Sequence, residues 1–186
     1  MTAPASRSIR LLKADEVLRM VDAGILGEDE PVELLDGVLV EVSPQGPIHA
    51  NATALLADRL RTVYPGPGRV REEKPIAAST FSLPEPDIAV VRGFGGAYGT
   101  RHPAGSDAVL VVELAWSSQN EDRRKAATYA AASVPVYWLV DLKDRRLEVR
   151  TDPRGGAYSS THLLAEADIA SLPEVGVRWL VRDLLP

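Results

Sequence analysis

Two carboxylates stand where the chain is otherwise apolar. Asp87 follows Pro86 and opens the run Ile88-Ala-Val-Val91, and Glu113 sits inside Val109-Leu-Val-Val-Glu-Leu-Ala115. Burying either in ionised form costs several kcal/mol unless something compensates. A divalent cation shared by both is one efficient compensation. Mg²⁺ takes oxygen ligands, keeps several waters and is commonly held by one or two carboxylates. Such an ion activates water and stabilises charge developing on a phosphodiester. Position 115 shares a strand face with Glu113 by the period of two. A lysine there could orient or deprotonate the attacking water, but the residue is Ala115. The helix that follows offers Lys125, flanked on one helix face by Asp122 and Tyr129. Plainer readings stay open at this point. Asp87 could cap a turn after Pro86, Glu113 could pair with an arginine such as Arg71, and Lys125 could be solvated beside Arg123 and Arg124.

The elements that must position these residues follow from periodicity and punctuation. Residues 1–12 are polar and read as a loose start. Ala14 to Ala23 reads as a short helix, with Asp15 as N-cap, an apolar stripe of Val17, Leu18 and Val21, and Gly24 as its stop. Asp36-Gly37 between apolar alternations marks a β-hairpin, since a type I′ turn needs positive φ at both central residues. Pairing across it sets Leu35 opposite Val38 and Glu33 opposite Val40. Glu33 then shares a face with Leu35, Val38, Val40 and Val42, where a carboxylate needs a partner. Pro47 to Val63 is a helix with Pro47 in its first turn and Ala52, Leu55, Leu56, Leu60 and Val63 at helical spacing.

Arg69 to Ala77 is a charged strand candidate, Asp87 to Val91 a short strand, and residues 93–107 a Gly-rich loop of a length that often signals function. Val109 to Ala115 reads as a strand buried on both faces. Ser118 and Glu121 form a capping-box pattern for an alanine-rich helix running to about Ala132. Val136 to Asp141 is another buried strand. Arg146 to Arg150 and Tyr158 to Leu164 flank a Gly155-Gly156 turn, and Val175, Val177 and Trp179 suggest a closing strand. The central order of helix, three strands, helix, strand implies an α/β fold, with helices on a mixed sheet. No linker divides the chain. A single domain is expected over 1–186, with an N-terminal extension at 1–30, a core at about 33–142 and C-terminal strands at 143–186.

The 186 residues suit one globular domain, and 45% apolar with 25% charged residues is ordinary for one. No apolar run approaches the ~20 residues that span a bilayer, and Met1 to Arg10 carries no apolar leader stretch. With no cysteine, disulfides and thiolate metal sites are excluded, and a reducing cytoplasm is the simplest location. The net charge of −5 argues against a scaffold with a broad DNA-binding stripe. It argues less against a nuclease, because carboxylates that load a metal are themselves negative. His102 and His162 lack partners at zinc spacing. No Gly-x-Ser-x-Gly elbow or phosphate-binding loop ending in Lys-Ser or Lys-Thr is present.

An ordered set of motifs then stands out. Glu33-Leu-Leu-Asp-Gly-Val-Leu, His49, Pro86-Asp87-Ile-Ala-Val, Val111-Val-Glu-Leu, Asp122-Arg-Arg-Lys125, Tyr129-Ala and Val134-Pro-Val-Tyr-Trp-Leu-Val-Asp141 appear in that order. Together they resemble the Uma-type restriction endonuclease family of the PD-(D/E)XK nuclease superfamily, from Glu33 to the C-terminus. The resemblance implies a restriction-endonuclease-like core, a mixed central β-sheet flanked by helices, with an N-terminal helix and β-hairpin extension. It implies metal ligation by Asp87, Glu113 and the backbone carbonyl of Leu114, with Mg²⁺ or Mn²⁺ as cofactor. The superfamily lysine is relocated to the helix as Lys125, matching Ala115. Glu33 and His49 match positions bordering the site. Trp116-Ser117-Ser118 and Leu114 depart from the family pattern in the flanks alone.

The expected activity is endonucleolytic hydrolysis of nucleic acid, DNA foremost, by Asp87, Glu113 and Lys125, with Glu33 and His49 in support. No membrane partner is expected, and a homodimer would supply two sites for two strands. The readings weighed against it are a non-catalytic nucleic-acid or protein interaction module on the same fold, and hydrolysis of a small phosphoester.

Overall fold

The computed structural model describes residues 8–186. The expected loose start therefore lies, for Met1 to Arg7, outside the described residues. The end of that stretch is tied down. Leu12 donates its N–H to the carbonyl of Gly37 at 2.9 Å and packs beside Val17, Leu34 and Leu83.

Helix α1 (Ala14–Asp22) follows, and its N-cap is Lys13 rather than Asp15. Asp15 instead pairs with Arg19 one turn on. Gly24, at φ +67°, ends the helix as its sequence position suggests. Strands β1 (Val32–Leu35) and β2 (Val38–Glu41) form the hairpin, with Glu33 opposite Val40 and Leu35 opposite Val38. Asp36 and Gly37 both take positive φ in the turn. The hairpin's core side is not the one its valines suggested. Leu34 is buried and packs with Val17 and Leu83, whereas Val38 is half exposed. Glu33, pointing the other way, is nonetheless buried, because another part of the chain covers it.

Helix α2 (Pro47–Val63) opens with proline at its first turn. It buries Ala52, Thr53, Leu56, Ala57 and Leu60, leaving Leu55 at the exposed edge of the stripe. The main sheet follows. Its strands are β3 (Val70–Glu72), β4 (Ile88–Val91), β5 (Ala108–Ala115), β6 (Val136–Asp141), β7 (Arg146–Arg154) and β8 (Ala157–Ala165). They lie in sequence order across the sheet. All neighbours are antiparallel except β5 and β6, which run parallel. A parallel pair needs a crossover, and helix α3 (Gln119–Ala131) supplies it. The strand expected over 69–77 shrinks to three residues, because Glu73 turns to φ +47° and Pro75 follows. The closing segment forms a separate small hairpin of β9 (Ile169–Ser171) with β10 (Arg178–Leu180).

Both faces of the sheet are covered, which makes all eight residues of β5 buried. Alternate residues serve different cores. Leu110, Val112 and Leu114 pack with Leu56 and Leu60 of α2, and Val111 and Ala115 with Ala126 and Tyr129 of α3. Glu113 is of the second set, so its carboxylate points toward α3. No helix among the described residues is long and apolar enough to cross a membrane.

Gly37 joins the N-terminal arm to the hairpin. It sits at φ +82°, and a Cβ there would lie 2.6 Å from the Cβ of Leu11. Gly37→Ala combines the left-handed penalty of about 1–2 kcal/mol with this collision. It is expected to lower unfolding free energy in urea by at least that amount, with the m-value unchanged.

Candidate active site

The five residues singled out in the sequence meet at the carboxyl end of β5. Register accounts for the first pair. Ile88 lies opposite Val112, so Asp87, one step earlier, falls beside Glu113. The N–H of Asp87 donates to Glu113 Oε2 at 3.2 Å, and the N–H of Leu114 donates to Asp87 Oδ2 at 2.7 Å. From α3, the Tyr129 hydroxyl donates to Glu113 Oε1 at 2.9 Å. Lys125, one helical turn earlier, reaches the same carboxylate at 3.7 Å. The ammonium also donates to Glu33 Oε1 of β1 at 2.9 Å. Glu113 therefore pairs with Lys125, not with Arg71. The partner demanded by the buried Glu33 is likewise Lys125.

His49, in the first turn of α2, closes the other side. Its Nε2 is 2.7 Å from the carbonyl oxygen of Leu114 and 3.2 Å from Asp87 Oδ2. A carbonyl only accepts, so Nε2 carries the proton and donates. Burial alone would lower the imidazole pKa. The hydrogen bond and charge of Asp87, with the Leu114 carbonyl, outweigh burial and hold it above its ordinary value.

Capping of α3 differs from the sequence pattern. Ser118 is the N-cap, but its hydroxyl donates to Asp122 Oδ2 at 2.6 Å and does not close a box with Glu121. This orients Asp122 inward, where burial pushes its carboxyl up to about 6.

The electrostatics centre on one ammonium among carboxylates. Burial raises the Glu113 carboxyl well above the usual range, opposed by Lys125 and reinforced by Asp87, Asp122 and Glu33. Burial would lower Lys125, but Glu113 and Glu33 outweigh it and hold the ammonium well above its ordinary value. Glu85 sits nearby on the loop before Asp87, and burial followed by the charge of Glu33 raises its carboxyl. Glu33 Oε2 is buried without a hydrogen-bond partner. Sequence reading did not single out Glu85. Its only signal was a carboxylate between Pro84 and Pro86, two residues before Asp87.

Among the described residues, no group of three or more His, Asp or Glu side chains is arranged as a ready cation shell. The oxygens converging here are two carboxylates and the Leu114 carbonyl. That set suits a hard cation that retains waters. The positively polarised N–H of His49 already lies against two of the three, Asp87 Oδ2 and Leu114 O. The residues therefore fit a divalent cation.

A family model described as "Putative restriction endonuclease", Uma2, matches residues 14–182 of this chain. The chain belongs to the Uma2 family. A solved structure supports the fold independently. It is titled as a "putative nuclease belonging to DUF820 from Anabaena variabilis ATCC 29413", and aligns with a TM-score of 0.73 at 18% identity. The alignment covers 93% of this chain and 97% of that one. No curated protein is significantly similar to the chain. The Uma2 match begins with α1 and ends after β10, so the hairpin carrying Glu33 and the helix carrying Lys125 both fall inside it.

The Lys125 ammonium is what allows Glu33 and Glu113 to share a buried space. Removing one partner of such a cluster typically costs about 3–5 kcal/mol. Lys125→Met is expected to lose stability of that order in denaturant unfolding. The double variant Lys125→Met/Glu33→Gln should recover part of it, since one stranded charge is gone.

Proposed function

We propose that this chain is a metal-dependent endonuclease that hydrolyses phosphodiester bonds of nucleic acid, DNA foremost. The observation that carries the reading is the convergence of Asp87, Glu113 and Lys125 at one strand end, with a backbone carbonyl beside them. Asp87, Glu113 and the Leu114 carbonyl would hold Mg²⁺ or Mn²⁺. Bound there, the ion supplies a Lewis acid that activates water and offsets charge on the phosphate.

The chain's own groups do the rest. Tyr129 and the N–H of Asp87 fix both oxygens of Glu113, so the carboxylate is oriented before substrate arrives. Asp87 is fixed in turn by the N–H of Leu114. Lys125 is held protonated by its carboxylate neighbours, which suits it to act as a cation. Its ammonium orients water and draws charge from the transferring phosphate. Glu33 keeps that ammonium in place. His49 aligns Asp87 with the Leu114 carbonyl, and its Nε2 lies close enough to donate to phosphate or, once it gives up its proton, to act as a further ligand. Cutting both strands of a duplex calls for two such sites, which a two-fold dimer would provide.

The test is cleavage of supercoiled and linear DNA, and of RNA, in Mg²⁺ or Mn²⁺ by the wild type and Asp87→Asn. Asparagine keeps an acceptor for the Leu114 N–H while removing the charge. A loss of about 10²–10³-fold in rate is expected, equivalent to the few kcal/mol such a ligand contributes. A wild type that binds nucleic acid but cleaves none with either metal would replace this reading with the non-catalytic module.

A further inference from the structure

Arg71 carries a charge that no carboxylate meets. It sits half-buried in β3, yet among the described residues its guanidinium forms no ion pair and no hydrogen bond, and its Nε is buried without a partner. What holds it is the ring of Tyr98, 5.8 Å from its Cζ to the centroid. The same ring carries Arg101 at 5.1 Å. Tyr98 is itself fixed, because its hydroxyl accepts the Gly93 N–H at 3.2 Å. The packing is close enough that a Cβ on Gly93 would fall 2.9 Å from that hydroxyl. Arg101 is exposed and tied to Asp107, so it is partly neutralised. His102 is half-buried nearby, held below its ordinary pKa by burial and by the Arg71 charge.

The placement relative to the site follows from register. Arg71 pairs with Ala89, and Ala89 with Val111. Directly opposed residues share a sheet face, and Asp87 and Glu113 lie two residues from Ala89 and Val111 on their own strands. Arg71, Asp87 and Glu113 thus share one face, with the Arg71 Cα about 8 Å from that of Asp87 by strand spacing and rise. Strand β3 is the sheet edge, so the cluster borders open solvent.

Two guanidiniums on one ring leave little of it for a nucleobase, but their N–H forks match phosphate oxygens. In a chain of net charge −5, a local positive patch would also offset the repulsion between a polyanion and the acidic site.

We propose that Arg71 and Arg101, braced on Tyr98, form a phosphate subsite that holds the nucleic-acid backbone beside the phosphodiester at Asp87 and Glu113. The subsite rests on the nuclease reading for the identity of its polymer. It assigns the 93–102 loop the task of setting substrate direction, outward over the edge strand.

The experiment is fluorescence anisotropy of a fluorescein-labelled DNA duplex over a KCl series, with Ca²⁺ as the cation that neutralises the carboxylates. Wild type, Arg71→Gln, Arg71→Lys and Arg101→Gln are compared, alongside thermal midpoints. Each glutamine variant should bind more weakly, and the log–log salt slope should become shallower by about one for Arg71→Gln. Arg71→Lys should retain the slope. Arg71 makes no ion pair or hydrogen bond among the described residues, only the contact with the Tyr98 ring, so its glutamine variant should melt close to the wild type, whereas a merely structural role would shift melting substantially and leave the slope alone. Wild-type slope and affinity in Arg71→Gln overturn the subsite, and wild-type cleavage would then leave the nuclease reading standing. Arg71-dependent binding by a chain that cuts nothing supports the subsite and removes the nuclease reading. No binding by the wild type overturns the subsite.

Discussion

One buried ammonium ties the molecule together. Lys125 belongs to α3, Glu113 to the central strand and Glu33 to the N-terminal hairpin, and these elements are distant in sequence. Without the lysine, two carboxylates would share a dry space, and the hairpin would be held, beyond its apolar packing, only by its hydrogen bonds to the N-terminal arm and the 81–83 segment, such as Leu83 N–H to the Leu34 carbonyl. With it, the hairpin covers one side of the site and α3 the other. The same contact fixes the chemistry open to the lysine. Carboxylates stabilise its charged form, the form that suits charge neutralisation. A lysine placed at position 115 would have sat beside Glu113 on one strand and tied nothing else in.

The rest of the site is built from backbone constraint as much as from side chains. The antiparallel pairing of β4 with β5 puts Asp87 beside Glu113 and aims two N–H groups at their carboxylates. The parallel pairing of β5 with β6 sends α3 back across the face on which Glu113 points. His49 reaches round the end of β5 from a helix that packs on the opposite face. Both faces of the sheet thus contribute to a site at its end, the usual location for sites on sheets containing parallel strands.

Much of this was legible before the fold. The order of elements, the span of α2, the turn at Asp36-Gly37 and the doubly buried β5 all follow from periodicity and turn chemistry, which are local signals. The shared helix face of Asp122, Lys125 and Tyr129 was legible for the same reason, whereas Glu33 is buried by another part of the chain and not by the valine face that drew notice to it. The failures are tertiary. Ser118 turned to Asp122 because an inward carboxylate needed a donor more than the helix end did. The hairpin's valines proved half exposed because α1 packs on Leu34 instead. Arg71 looked like a partner for Glu113, and only the covering of that carboxylate by α3 set it free. Nothing in the sequence marked Tyr98 as the ring that holds it.

The alternation along β5 has a consequence beyond chemistry. Of the eight residues from Ala108 to Ala115, seven are apolar and all are buried, so hydrophobicity barely distinguishes one alignment of the strand from its neighbour. A slip by a single residue exchanges the two faces. Glu113 would then enter the apolar core beneath α2, away from Lys125 and Tyr129, and the misaligned sheet would carry a stranded charge. The acidic side chain therefore acts as an index mark, penalising the slipped alignment of the central strand. An apolar residue at 113 would erase that mark along with the carboxylate, admitting sheets that are well packed, hydrogen-bonded and wrongly threaded.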